Sequence, residues 1–141
     1  MKAVLFYGPE NIKYEDVRLR PLKKGEVLVK IMSALTCGTD VKTYRRGHPV
    51  LIKTIPSGFG HEFSGVIEKL GEGVTKFSAG DRVVAANSAP CGECFFCKRG
   101  EYNLCEHLDL LNGAYAEYII VPERIVEKNM LILPDDLSFD K

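Results

Sequence analysis

Residues 90–107 read PCGECFFCKRGEYNLCEH. Four of the five cysteines of the chain fall here, as Cys91, Cys94, Cys97 and Cys105, spaced C-x2-C-x2-C-x7-C. Four thiolates from one short loop are the donor set of a closed tetrahedral zinc site, which adds folding energy and leaves no position open for chemistry. Gly92 and Gly100 sit where the backbone must double back around an ion, and glycine takes positive φ without steric cost. A disulfide framework would suit a small secreted chain, but five cysteines is an odd number and no signal segment precedes them. An iron–sulfur cluster is the sharper rival, because Cys91, Cys94 and Cys97 match the first three ligands of a bacterial ferredoxin run. That run continues with x3-C-P, whereas here seven residues separate Cys97 from Cys105 and no proline follows. Four unligated buried thiols fit poorly in a loop that also carries Glu93, Lys98, Arg99 and Glu101. Zinc is the expected occupant.

Outside this loop the chain looks like one ordinary domain. Its 141 residues can bury a core without staples. Nineteen basic and nineteen acidic residues give no net charge, so nothing steers the chain toward nucleic acid or an anionic membrane. The apolar run Ala3 to Tyr7 is too short for a signal core or a membrane span. Thiols kept available for metal suit a reducing compartment, and the expectation is cytoplasmic.

The order of elements reads as strands joined by Gly/Pro punctuation. Residues 2–7 and 12–19 form an expected hairpin across Gly8-Pro9-Glu10-Asn11. Ile12 and Tyr14 lie in one phase and Val17 and Leu19 in the other, which suggests a bulge in the second strand. Residues 26–35 alternate cleanly, with Val27, Val29 and Ile31 opposite Leu28, Lys30 and Met32. A short helix is expected over 38–46, strands over 62–70, 82–86 and 115–121, and a broken pair of strands over 125–133. Pro134 to Lys141 reads as the opening of a helix capped by Ser138 or an aspartate. A helix cut within its first turn has barely formed its nucleus, so the chain is expected to be a piece of something longer. There is no internal repeat, low-complexity tract or linker.

A second group of chemical residues lies upstream. Cys37-Gly38-Thr39-Asp40 follows the long strand, and Gly60-His61-Glu62 opens the next. Singly, each has a plain reading: Cys37 a buried small hydrophobe, His61 a satisfied histidine, Glu62 a surface charge. Together they offer a sulfur, an imidazole and a carboxylate at junctions of element and loop. That is the donor mix of a catalytic zinc site with a position left for substrate.

Gly60-His61-Glu62-Phe63-Ser64-Gly65, with Gly71 and Val74 following, matches the pattern GHE-x2-G-x5-G-x2-[IV] of the zinc-containing alcohol dehydrogenases. With Cys37-Gly38-Thr39-Asp40, Gly80-Asp81-Arg82-Val83 and the four-cysteine lobe, the chain resembles the N-terminal catalytic domain of the medium-chain dehydrogenases from Met1 to Lys141. The threonine and sorbitol dehydrogenase branch is the most similar in feel. The resemblance implies a mainly β, GroES-like fold: a partly open barrel with short helices and a projecting zinc lobe at about 90–107. It implies Cys37 and His61 as ligands of a catalytic zinc, with Glu62 beside the metal. Asp40 would accept the other N–H of His61, Thr39 would take up the proton of the alcohol, and the four lobe cysteines would hold structural zinc. It further implies a small alcohol or polyol as substrate, NAD or NADP as cofactor, and a homo-oligomer at full length.

The sequence departs from the resemblance in two ways. Two residues beyond Asp40, where many relatives carry a proton-relaying histidine, stands Lys42, charged at neutral pH. His48, six residues on, is an alternative relay but reads first as a solvated loop histidine, and His107 as a surface residue beside a tetrahedron already complete. The larger departure is the missing dinucleotide fingerprint: Gly58-x-Gly60 and Gly71-x-Gly73 lack the third glycine and the strand–turn–helix setting. The relatives' Rossmann domain, and a third protein ligand to the catalytic zinc, come after the segment where this chain stops. The reading is the catalytic-domain portion of a zinc-dependent NAD(P) alcohol or polyol dehydrogenase, inactive as a fragment. The alternative is a stand-alone zinc-binding interaction module.

Overall fold

The computed structural model describes residues 1–141. Strands β1 (Lys2–Gly8) and β2 (Asn11–Asp16) form the first hairpin, and β3 (Val27–Leu35) leads into helix α1 (Gly38–Arg46). Then come β4 (Ser57–Gly58), β5 (Glu62–Leu70), β6 (Arg82–Ala85) and β7 (Ser88–Ala89). The cysteine loop follows, with 3-10 turns at Cys97–Arg99 and Tyr102–Leu104. The chain closes with β8 (Asp109–Leu110), β9 (Tyr118–Val121), helix α2 (Glu123–Asn129) and β10 (Met130–Ile132). Three sheets result, ordered β2-β1-β4, β10-β6-β5-β3-β9 and β7-β8.

The five-stranded sheet holds the core because its strands obey the period of two. Val27 and Val29 of β3, Ile67 of β5, Val83 of β6 and Val121 of β9 are fully buried. Its antiparallel pairs are set by Val29↔Ile67 and Val29↔Ile119. The three-stranded sheet joins it through residues 115–117: Val4 N–H donates to Tyr115 O at 2.7 Å, and Glu117 N–H to Lys2 O at 3.0 Å. Ile31 N–H donates to Glu117 O on the other side, at 3.0 Å. One short segment therefore bridges two sheets, which gives the partly open barrel.

Gly65 is required where β5 crosses β3. A Cβ there would stand 2.2 Å from Lys30 O and 2.7 Å from Val29 Cγ1. The glycine of the GHE-x2-G pattern thus allows two strand backbones to approach closely. Near the start of β3, the buried Glu26 carboxylate accepts two bonds from Arg20, at 2.6 and 2.7 Å, and one from Lys23 N–H at 2.8 Å. This clamp fixes the irregular segment between β2 and β3.

Three expectations are corrected. Residues 125–133 are not a broken pair of strands: α2 occupies Glu123–Asn129, and only Met130–Ile132 is extended. The β-branched pair Ile125-Val126 reads locally as strand, but burying both together with Met130 needs a helical turn. Pro122 in extended conformation starts the helix, Glu123 lies in its first turn and Lys128 in its last. Residues 134–141 form turns, not a helix opening. Arg82 donates to the carbonyls of Pro134, at 3.1 Å, Asp135, at 2.9 Å, and Leu137, and its guanidinium lies 4.5 Å from the Phe139 ring. Finally, β2 ends at Asp16, so its phase change marks the strand's end; the register irregularity lies between Phe6 and Gly8. No helix is long and apolar enough to cross a membrane. Leu131 and Ile132 on β10 and Leu35 at the end of β3 are exposed.

Candidate metal centres

Cys91, Cys94, Cys97 and Cys105 converge as the spacing requires, with all four sulfurs within 4.8 Å of one another. Cys91 Sγ and Cys97 Sγ are 3.9 Å apart. Zinc–sulfur bonds of about 2.3 Å in a tetrahedron put sulfurs about 3.8 Å apart, so the separation fits the ion. The loop reaches this shape through positive φ at Gly92 (87°) and Gly100 (80°) and through short bonds such as Lys98 N–H to Cys94 O, at 3.0 Å. Backbone N–H groups also favour thiolates: those near Glu93 and Cys94 lower Cys91, and those near Cys97 and Glu106 lower Cys94. At Cys105 burial opposes the charge, yet the N–H groups of Cys91 and His107 leave the thiol lowered. Burial wins at Cys97 and pushes it up to about 12. A bound cation would overcome that preference, because metal coordination deprotonates a thiol outright. Lys128 Nζ ties the lobe to α2 through Pro90 O, at 3.0 Å, and Cys91 O, at 3.2 Å. His107 stays outside the cluster and exposed.

The second centre is built from two separate elements. Cys37 caps α1, with its sulfur accepting from Thr39 N–H at 3.4 Å, while Asp40 Oδ2 accepts from Cys37 N–H at 2.9 Å. This reciprocal pair is a capping box with sulfur in place of a hydroxyl. His61 arrives from the other side, at the start of β5. The segment before it is stitched to residues 113–115: Gly60 O accepts from Gly113 N–H at 2.7 Å and Ala114 N–H at 2.9 Å. Sulfur, imidazole and the Glu62 carboxylate then lie within 4.8 Å of one another. His61 Nδ1 is 3.0 Å from Asp40 Oδ1, and both residues are buried. A carboxylate at Nδ1 assigns the proton to that nitrogen and leaves Nε2 free to bind a metal. The donor chemistry fits zinc.

Tyr115 belongs to this constellation and was not found in the sequence, where it reads as the first residue of a strand. Its hydroxyl lies 3.1 Å from Asp40 Oδ2, and equally from Leu35 O and Thr36 Oγ1. Burial raises its pKa, Thr36 opposes the rise, and the Asp40 carboxylate adds to it. Its ring packs on Gly60, where a Cβ would meet Tyr115 Cδ1 at 2.4 Å. Only the pairing of distant segments reveals this contact.

Two cavities lie nearby, the first against the centre and the second beside Thr39. One of about 490 Å³ is lined by His61 and Glu62 together with Leu35, Phe63, Leu133 and Phe139. Thr39 does not line it. Thr39 borders a second cavity of about 470 Å³ with Lys42, Arg46, Gly47, His48 and Pro49. Thus Cys37, Asp40, His61 and Glu62 are brought together, and Thr39 is linked to them by its backbone N–H. Gly58 and Gly71 are not phosphate-binding glycines. A Cβ at Gly58 would meet Gly113 Cα at 2.8 Å, and one at Gly71 would meet Lys23 O at 2.3 Å.

Residues 23–135 match the family model described as alcohol dehydrogenase GroES-like domain. The chain belongs to this family. It is 35% identical to the sorbitol dehydrogenase of Bacillus subtilis, over all of this chain and 40% of that protein. Among solved structures, galactitol-1-phosphate dehydrogenase from Escherichia coli superposes with a TM-score of 0.85 at 32% identity, over 99% of this chain and 40% of that one. A zinc-binding dehydrogenase from Sinorhizobium meliloti, bound to NADP, gives 0.84 at 30% identity, with the same two coverages. The chain therefore spans about two-fifths of the length of these relatives. Its fold is that of the catalytic domain of zinc-containing medium-chain alcohol and polyol dehydrogenases.

Proposed function

We propose that this chain is the catalytic domain of a zinc-dependent, NAD(P)-linked alcohol or polyol dehydrogenase. The observation that carries the reading is the convergence of Cys37, His61 and Glu62 from separate elements around a histidine held by Asp40. Cys37 Sγ and His61 Nε2 would hold the metal, and Glu62 would contribute a carboxylate as a third donor. Zinc, when bound there, acts as a Lewis acid that lowers the pKa of an oxygen ligand. Asp40 keeps His61 in one tautomer and one orientation and raises its basicity. Thr39, two residues beyond Cys37, borders a different cavity from the one beside His61 and Glu62, and its contact with the centre is its N–H on the Cys37 sulfur. The cavity beside His61 and Glu62, walled by Leu35, Phe63 and Leu133, takes the carbon skeleton of the substrate. Residues 1–141 contain no dinucleotide fingerprint, and this chain alone is expected to turn over little or no alcohol. The four-cysteine lobe remains structural.

Zinc stoichiometry tests the assignment. The wild-type chain should bind up to two equivalents, of which a chelator removes the second first, because three protein donors hold it less tightly than four thiolates. Cys37→Ser should keep one equivalent and the fold. Cys94→Ser should lose lobe zinc and much of the stability, since metal binding there is folding energy. Should Cys37→Ser unfold the domain while Cys94→Ser leaves it intact, the two roles are reversed.

A further inference from the structure

Helix α2 carries two cations four residues apart, and each holds one end of the cysteine lobe. Arg124 Nη1 donates to His107 O at 2.9 Å and pairs with Asp109 Oδ2 at 3.2 Å, where the chain leaves the lobe. Lys128 Nζ donates to Pro90 O at 3.0 Å and Cys91 O at 3.2 Å, where the chain enters it. Residues at i and i+4 share a helix face, so one turn of α2 spans both ends. Asn129 adds a third hold at the entry, donating from Nδ2 to Ser88 O at 2.6 Å.

The helix dipole accounts for a cation in the last turn of α2, but not for where its ammonium goes. Lys128 makes no ion pair, and both of its hydrogen bonds end on the lobe. Gly92 leaves the room for it: a Cβ there would stand 2.7 Å from Lys128 Nζ. The destination matters because Pro90 C=O and Cys91 N–H belong to one peptide unit. That N–H donates to Cys105 Sγ at 3.2 Å. An ammonium on a peptide oxygen polarises the same unit's N–H and strengthens the bond that the N–H makes. A chain of two hydrogen bonds therefore runs from a positive charge to a ligand sulfur. Four thiolates around one divalent cation keep a net negative charge, which such a chain offsets. Arg124 braces the opposite end at His107, the other residue whose N–H acts on the Cys105 sulfur against the effect of burial.

We propose that Lys128 is a positioning residue of the lobe metal: it holds and polarises the Pro90–Cys91 peptide that donates to Cys105, while Arg124 braces the far end of the lobe. This concerns the lobe alone and is independent of the dehydrogenase reading.

The test combines NMR of the cadmium-loaded chain, read at the metal nucleus, with chelator competition for zinc on the same proteins. Lys128→Met, at an exposed position, keeps the aliphatic stem and removes the charge. It should shift the cadmium signal of the lobe and lower the lobe's zinc affinity about tenfold, the lower end for an outer partner of a ligand. Lys128→Arg keeps a cationic donor and should restore most of the loss. Arg124→Met loosens the other end and should lower lobe affinity in the same direction. The centre at Cys37 and His61 should be unchanged in all three variants. An unchanged lobe signal and affinity in Lys128→Met overturns the proposal, and so does equal loosening of both centres. Equal losses in Lys128→Met and Lys128→Arg overturn it as well, because the charge would then play no part. A lobe that responds as expected in a chain whose second centre takes no metal upholds the proposal and removes the dehydrogenase reading. A loaded second centre with no lobe response does the reverse.

Discussion

Tyr115 shows how a single hydroxyl can act on a metal site from a distance. Its O–H is within donating distance of Asp40 Oδ2 and Thr36 Oγ1, and so holds the carboxylate that orients His61. Tyr115→Phe removes a partly buried hydrogen bond to Asp40 and should cost about 1 kcal/mol of stability. It should also lower zinc affinity at the Cys37/His61 centre by about tenfold, the lower end for an outer partner of a ligand. The lobe zinc should be unaffected. A chelator competition that resolves the two equivalents checks this, and equal loosening of both would mean the effect is merely global. The four-cysteine cluster was legible in the sequence because its spacing carries a signal of its own, and Cys37, His61 and Glu62 stood out through the motifs of the resemblance. Tyr115 was not, because its partners lie 75 to 80 residues away in the chain.

Strands and helices differ in how much of themselves the chain announces. Residues 38–46 and 62–70 appear where capping and alternation place them, as α1 and β5. For 125–133 the local signal misleads: β-branched residues favour a strand, and packing of Ile125, Val126 and Met130 on one core imposes a turn of helix. Close approach of two elements is equally hidden. Gly65→Ala would drive a methyl into Lys30 O, and Lys30 O belongs to a paired strand that cannot yield without breaking its register. We expect a loss of about 2–3 kcal/mol, the upper range for overpacking. Gly38→Ala, in the first turn of α1 with nothing within 4 Å of the added carbon, should be neutral or slightly stabilising. Denaturant midpoints of the two variants give the comparison, and equal midpoints would refute the steric account.

For the whole molecule, the Arg20–Glu26 clamp makes stability depend on acid. The Arg20 bond, aided by the N–H of Lys23, holds the Glu26 carboxyl below the usual carboxylate range against the opposing effect of burial. A folded pKa below the unfolded value of about 4.3 means stabilisation that is full above that pH and lost as pH falls through the folded pKa. Arg20 is 48% exposed, which screens the pair and keeps the contribution to about 1–2 kcal/mol. Urea unfolding of wild type and Glu26→Gln should differ by this amount at pH 7 and converge as the pH drops toward 3. A gap that does not change with pH would show that Glu26 acts by shape and not by charge. Taking the difference between the two proteins cancels the separate loss of zinc in acid.

Two clusters of candidate metal-ligating residues and a mainly β fold were legible in the chain alone, because ligand chemistry and strand alternation are local properties of residue type and spacing. Only the tertiary structure decided that Thr39 borders a cationic cavity, that Tyr115 holds Asp40, and that the end of the chain folds back onto Arg82. Each of those depends on which distant segments the core brings into register, and no short stretch of sequence encodes that.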